Sequence, residues 1–279
     1  MSENANNLEI STNQNYWFDG KAEISTFSLV QARYGEIRQA EAVLIFVTED
    51  FSKSKQVKMD NPSSDLKDKQ TVLKLNMTKR FNTGIYPYHM ILSVFTPYNE
   101  TSDYFPIKTT ASVSEWCGQV FTQLNRKSDH YLSQSFSYFE SEADQEKKLP
   151  ILWIEDGIWN VLRLNPEALP IGEIKMIPGV FFSRLKHQSQ DPQTAICSLQ
   201  KNDIGVNIYT IKYPNAGRIL EIQFTNSYPY PIIGWKESYK DGNSELSTSA
   251  TLKHRTKLDY WNLNSNKDSI YRKELQLQF

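Results

Sequence analysis

The residues with the most chemical promise lie in one stretch, Lys108 to Asn125 (KTTASVSEWCGQVFTQLN), which holds one of only two cysteines beside a tryptophan and a glycine. Two readings of Trp116-Cys117-Gly118-Gln119 compete. A dithiol redox site stabilises a thiolate at a helix N-terminus and places a second cysteine three positions later. Here that position is Val120, and Phe121, Thr122 and Gln123 do not favour a helix. The other reading is one long strand in two halves, with Trp116, Gly118, Val120, Thr122 and Leu124 on one face and Cys117 as a small buried group on the other. The strand is preferred, because nothing nearby supplies the setting that a low thiol pKa needs. Whether Cys117 and Cys197 pair or sit apart stays open.

Other chemistries have less support. The histidines (His89, His130, His187, His254) never fall at HxH or HExxH spacing, so no metal site is expected. Asp241-Gly242-Asn243-Ser244-Glu245 lacks the order of a calcium loop and reads as a hairpin turn. Asn262, Asn264, Asn266 and Asp268 read as helix capping. Glu155 and Asp156, flanked by Trp153 and Trp159, would suit glycoside chemistry. Neighbouring positions on a helix diverge by about 100°, so the two carboxylates are not expected to face one substrate. No GxSxG elbow, Gly-rich phosphate loop or GKS/GKT motif occurs, and no cofactor is expected.

Composition narrows the field. The 279 residues suffice for one large core or two small ones. Aromatic residues reach 13% against only 11 glycines, a bias towards sheet. Thirty-one basic residues against 32 acidic ones provide no extended basic field, so nucleic acid is not an expected partner. The longest apolar run, Ala42 to Val47, is far shorter than the ~18 residues of a membrane span.

The elements that must position these residues are mostly strands. Residues 1 to 15 read as a disordered tether and 16 to 279 as one β-rich domain. Strands are expected at Lys21–Val30, Glu36–Thr48, Thr71–Arg80, Tyr86–Phe95 and Asp129–Phe139, with turns at Tyr34-Gly35 and Asn82-Thr83-Gly84. The second strand holds AVLIFV, a run that suggests burial on both faces. Phe51–Lys69 reads as a polar loop. The period then changes. Leu149–Leu164 places Ile151, Ile154, Ile158, Val161 and Leu162 on one helical stripe, begun at Pro150 and ended at Asn165-Pro166, with Gly157 costing about 1 kcal/mol relative to alanine. Strands resume at Gly172–Ile177, Val180–His187, Gln193–Gln200, Val206–Tyr213 and Arg218–Thr225. Ile232–Tyr239 and Thr248–Leu258 form a last hairpin, and Lys267–Leu275 a short capped helix. The expected fold is mainly β: a large antiparallel sheet, strongly curved or an open barrel, with one central helix against its concave face or plugging one end.

Several segments together, YWFDGKAEISTFSLVQARYGEIRQAEAVLIFVTEDF, LKLNMTKRFNTGIYPYHMILSVFTP, EWCGQVFTQLN, SYFESEADQ and LDYWNLNSNKD, resemble an uncharacterised family of Gram-negative cell-envelope proteins, commonly predicted lipoproteins. The resemblance runs over nearly the whole chain from Tyr16. Members are sometimes labelled septum formation inhibitor Maf. The nucleotide-hydrolysing Maf family opens on a Ser-Pro-Arg-Arg type motif, and none of the 12 prolines here follows a serine, so that label is rejected. The resemblance supplies no catalytic residues. It implies export to the periplasmic side of a membrane or the cell surface, with a lipid anchor ahead of the polar tether and Met1 standing where signal and lipid-bearing cysteine would be.

Function is expected to be non-enzymatic: a binding or carrier module for an apolar ligand or an envelope partner, since a curved sheet rich in rings can enclose an apolar groove. Trp116, Cys117, Trp153 and Trp159 are the candidate ligand contacts. The bland competitor is that the rings simply fill the interior. The alternatives are a thiol-redox protein using Cys117, and an enzyme whose site gathers Glu155, Asp156, Arg163 and His187 from distant segments.

Overall fold

Among the described residues alternating apolar positions generate sixteen strands, and all of these join one sheet. The structure, a computed structural model, describes residues 16–98, 103–241 and 244–278; the tether expected at 1–15 lies outside them. From the middle of the sheet one half of the chain runs outward through β1 (Ala22–Arg33), β2 (Glu36–Ser52), β4 (Lys69–Thr83), β5 (Tyr86–Pro97), β6 (Lys108–Glu115), β7 (Gly118–Arg126), β8 (His130–Ser137) and β9 (Gln145–Pro150). A two-residue β3 (Val57–Lys58) in the expected polar loop adds to β2. The other half starts at the opposite margin with β10 (Trp153–Ile154) and returns through β11 (Gly172–Ile177), β12 (Gln193–Gln200), β13 (Val206–Tyr213), β14 (Arg218–Thr225), β15 (Ile232–Asp241) and β16 (Ser244–Leu258), which pairs β1. Every pairing is antiparallel except β10 with β11.

The two margins of the sheet, β9 and β10, are separated in sequence only by Ile151 and Leu152. Three residue steps span at most about 11 Å. The sheet therefore curls through nearly a full turn and stays unclosed, a barrel-like wall. A wall fifteen strands round, with β3 off its path, encloses more space than strand side chains can fill. The chain fills it with α1 (Glu155–Leu164), which follows β10 directly into the interior and is buried from Glu155 through Arg163. At the end of the barrel where β1 turns into β2 sits α2 (Val180–Leu185): Arg33 donates to the Leu185 carbonyl, and the Phe182 ring meets Tyr239 edge-on.

The expected sheet and central helix are present, and four boundaries differ. The stretch 108–125 is two strands, with Trp116 and Cys117 forming the turn between them. The Cys117 N–H donates to the Glu115 carboxylate at 2.6 Å, which tightens that turn. Cys117 is accordingly exposed rather than a buried filler. The central helix begins at Glu155, not Leu149, because 145–150 pairs with β8 as an edge strand; Pro150 is tolerated at a strand terminus with one neighbour. Val180–Leu185 is a helix, not a strand. Its Val-Phe-Phe-Ser-Arg-Leu run shows no clear period and is buried on nearly every side, a case that periodicity cannot resolve. The C-terminal helix α3 is Ile270–Glu274, preceded by a 3-10 turn at Asn266–Ser269 that carries a Ser265/Asp268 capping box. The turn of the last hairpin, at 242–243, lies outside the described residues.

Candidate functional site

α1 looks amphipathic in sequence, yet both its faces are buried. Its polar residues are matched by polar residues on the inner face of the wall. At its N-terminal end Glu155 takes both guanidinium ends of Arg218 (β14) and the Tyr213 hydroxyl (β13) at 2.8 Å, while Arg218 Nε donates to Glu237 (β15) at 2.6 Å. In its middle Asn160 Nδ2 donates to the Leu73 carbonyl and to Thr96 Oγ1 at 3.0 and 2.9 Å. Near its C-terminal end Arg163 pairs with Glu23 (β1) and donates to the Pro229 carbonyl at 2.9 Å. Acid at the first turn and base at the last also complement the helix dipole. Burial alone would raise the Glu155 and Glu23 carboxyls, but the charge and hydrogen bonds of Arg218 and Arg163 outweigh it and hold both below the usual range.

Asp156 is the exception. Its Oδ2 accepts from the Val180 N–H at 3.0 Å, but burial and the adjacent Glu155 charge push it up to about 7. Both carboxylates border one cavity, together with Gly179, Lys79 (β4), Arg218 and Trp235. The expected divergence of Glu155 and Asp156 is thus corrected: the chain folds back at Gly179, where an added Cβ would meet Glu155 Oε1 at 2.5 Å and Asp156 Oδ1 at 3.1 Å. Among the described residues the Lys79 ammonium has no ion pair or hydrogen bond. It lies 5.5 Å from the Phe181 ring and 5.9 Å from that of Trp235, and burial lowers its pKa. A raised carboxyl and a lowered amine are what acid–base chemistry uses. The cavity, however, measures about 30 Å³, room for one water-sized molecule. This network is the scaffold that seats α1 and α2.

A roomier cleft than this cavity, about 250 Å³, lies on the other side of α2, between that helix and the inner face of β7, β8 and β9. Period two places Tyr131, Ser133 and Ser135 on one face of β8, and Leu149, Lys147 and Gln145 on one face of β9. Deep in the barrel this face is apolar: Tyr131 and Leu149 are 0% and 4% exposed. Towards the mouth it turns polar, and the paired row Thr122–Ser135–Gln145 lines the cleft.

Opposite that row, α2 contributes Ser183 and Arg184, and the following turn His187 and Gln190. α2 ends in a Schellman motif, with the Gln188 N–H on the Ser183 carbonyl at 2.8 Å and the His187 N–H on the Arg184 carbonyl at 3.3 Å. Its left-handed position, usually glycine, is His187 at φ +52°. A non-glycine residue there costs on the order of 1–2 kcal/mol. In return the His187 ring reaches Glu142, with Nδ1 2.6 Å from Oε1. Glu142 also accepts from Arg184 Nη1 at 3.2 Å and from Ser137 Oγ at 2.6 Å, and the Arg184 guanidinium lies 4.4 Å from the Phe139 ring centre. Lys147 donates to Ser189 at 3.1 Å.

Three buried side-chain atoms of the cleft residues have no hydrogen-bond partner among the described residues: Ser183 Oγ, Arg184 Nε and Gln190 Nε2. Such atoms cost about 1–3 kcal/mol each and are few in folded proteins. Three at one opening identify it as the candidate binding site.

The residues nominated from sequence do not converge. Trp116 and Cys117 sit at the β6–β7 turn, where Trp116 is 68% exposed. Trp153 packs at a tilt against Phe105 at the sheet margin, 5.0 Å between ring centres. Trp159 is buried edge-on against Trp235 beside the inner cavity. Of the four residues considered for an assembled active site, Glu155 and Asp156 share the inner cavity, Arg163 stands at the far end of α1, and His187 is in the cleft. Sequence reasoning missed Lys79, Arg218 and Glu237. Their signal was present: each is a charge at an inward position of an alternating strand, as in Met77-x-Lys79-x-Phe81 and Arg218-x-Leu220-x-Ile222.

For the thiols, hydrogen bonding and repulsion from Glu115 raise the Cys117 pKa, and burial raises that of Cys197. Among the described residues no group of three or more His, Cys, Asp or Glu could hold a metal ion. No helix among them is long and apolar enough to cross a membrane.

No protein-family model matches the chain, and no curated protein matches it significantly. Among solved structures it is similar to a β-barrel-like protein of a domain of unknown function, DUF1849, from Brucella abortus, at 8% identity, with 85% of this chain and 96% of that one covered and a TM-score of 0.45.

Proposed function

We propose that this chain is a binding module that holds a small polar ligand in the cleft between α2 and β7–β9. The observation that carries this is the trio of unpartnered buried polar atoms at that cleft. Binding sites place a few convergent polar groups in a concave wall, and those groups stay unsatisfied until the ligand arrives. The expectation of an apolar ligand is revised to a polar one, because rings and α1 occupy the interior and hydroxyls, amides and charges line the opening. A thiol-redox role has little support: the Cys117 thiol is raised rather than activated.

The envelope location rests on the resemblance of the segments from Tyr16 onward. It has a geometric consequence. Trp17 is fixed by the hydrogen bond from Thr48 to its carbonyl, at the end of the barrel opposite the β1–β2 turn and α2. A chain anchored through its N-terminal segment would therefore hold the cleft mouth away from the membrane.

Native mass spectrometry of protein purified from its own cells tests the reading. A co-purifying polar small molecule, lost on Ser183→Trp substitution into the cleft, is the expected result. A co-purifying lipid retained by that variant would overturn it.

A further inference from the structure

We infer that the ligand presents an oxyanion, a carboxylate or a phosphate, and that Arg184 is its anchor. This rests on the cleft being the binding site. The unpartnered atoms decide the ligand's chemistry: Arg184 Nε and Gln190 Nε2 are donors only, and Ser183 Oγ is able to donate. What they lack is an acceptor. Glu142, the acid in the cleft lining, does not supply it, since its Oε1 is taken by Arg184 Nη1 and His187 and its Oε2 by Ser137.

The guanidinium is a rigid planar fork. With Nη1 committed to Glu142, the edge that carries Nε remains, and an oxyanion meets such an edge with two parallel hydrogen bonds. The stack on Phe139 and the contact with Glu142 hold the plane, so little freedom is lost on binding. The side chain is only 8% exposed, and burial lowers its pKa although arginine stays charged. A cation in such low-dielectric surroundings gains more from an anion than a surface lysine does. Lys147 also lines the cleft, its Nζ held by Ser189 Oγ at 3.1 Å and by Asp191 at 3.7 Å, and Ser183 lines it as well.

Isothermal titration calorimetry on the full chain, with sodium phosphate, sodium citrate and glucose at constant ionic strength, tests this. One-to-one binding of phosphate or citrate is expected, and which of the two binds more tightly separates the phosphate source from the carboxylate source. Arg184→Gln should weaken that binding at least about tenfold, and Arg184→Lys, which keeps the charge but not the fork, by less. Ser183→Ala, which leaves the fork in place, should weaken it about threefold and carries the test if the arginine variants fail to fold. Glucose binding with neither anion bound would overturn the oxyanion while leaving the cleft reading intact. Anion binding unchanged in a folded Arg184→Gln variant would overturn the anchor, and no binding of either anion would overturn the inference as a whole.

Discussion

Replacing Asp156 with asparagine should make the protein more stable, and more so as pH rises. Asparagine keeps an acceptor for the Val180 N–H, 3.0 Å away, and removes only the charge. The wild-type carboxyl moves from 3.8 in the unfolded chain to about 7 in the folded one. Between those values the folded state binds a proton that the unfolded state has released. Stability therefore falls as pH rises through that window and levels off above it. Each pH unit is worth about 1.4 kcal/mol, so Asp156→Asn should gain about 2 kcal/mol over wild type at pH 5 and about 4 kcal/mol at pH 8. Glu155, Arg218, Lys79 and Glu237 border the same cavity, and burial of Lys79 adds a pH dependence of opposite sign. Both proteins share those groups, so the difference between them isolates Asp156. Urea unfolding followed by tryptophan fluorescence at the two pH values measures it. A difference that does not grow with pH, or a variant less stable than wild type at pH 8, would refute the reasoning.

Breaking the other buried pair should be costly: Arg163→Met leaves the buried Glu23 with only the Tyr16 hydroxyl and Arg255 at 3.9 Å and should lower stability by about 3 kcal/mol, whereas Glu23→Leu with Arg163→Leu should recover most of that in the same urea assay. Gly157→Ala should destabilise despite better helix propensity. Its Cβ would lie 2.7 Å from Pro106 Cγ, and overpacking of about 1–3 kcal/mol exceeds a gain of about 1 kcal/mol; a raised melting temperature would contradict this. A maleimide should label one thiol per native molecule, at Cys117, and the second only after unfolding. Glu115→Gln should speed the native reaction at neutral pH, because it removes the partner that raises the Cys117 pKa; equal rates would count against that cause.

Much of the wall was legible in the sequence. Leu73, Leu75 and Met77 alternate because β4 buries one face, and Tyr34-Gly35 marks a hairpin because both residues take positive φ. The run Ala42 to Val47 suggested burial on both faces; the strand holding it does lie centrally, between β1 and β4, but only the face of Ala42, Leu44 and Phe46 is fully buried, while Val43 and Ile45 on the other are half-buried. The stripe around Ile158 announced a helix, and alternation even carried the charges Lys79 and Arg218 onto the inner face. Chain periodicity records which way each residue of one element faces, and that is settled locally. Tertiary structure decided what those faces meet. Glu155 finds Arg218 63 positions away and Arg163 finds Glu23 140 positions away, through the pairing of β16 with β1 and the curl that brings β9 beside β10. The cleft exists only because α2 stops short of β7–β9, and Val180–Leu185 was not even readable as a helix. Strand direction is encoded by neighbours two residues apart; a binding site is encoded by side chains that share no local pattern, so only the curled wall could show it.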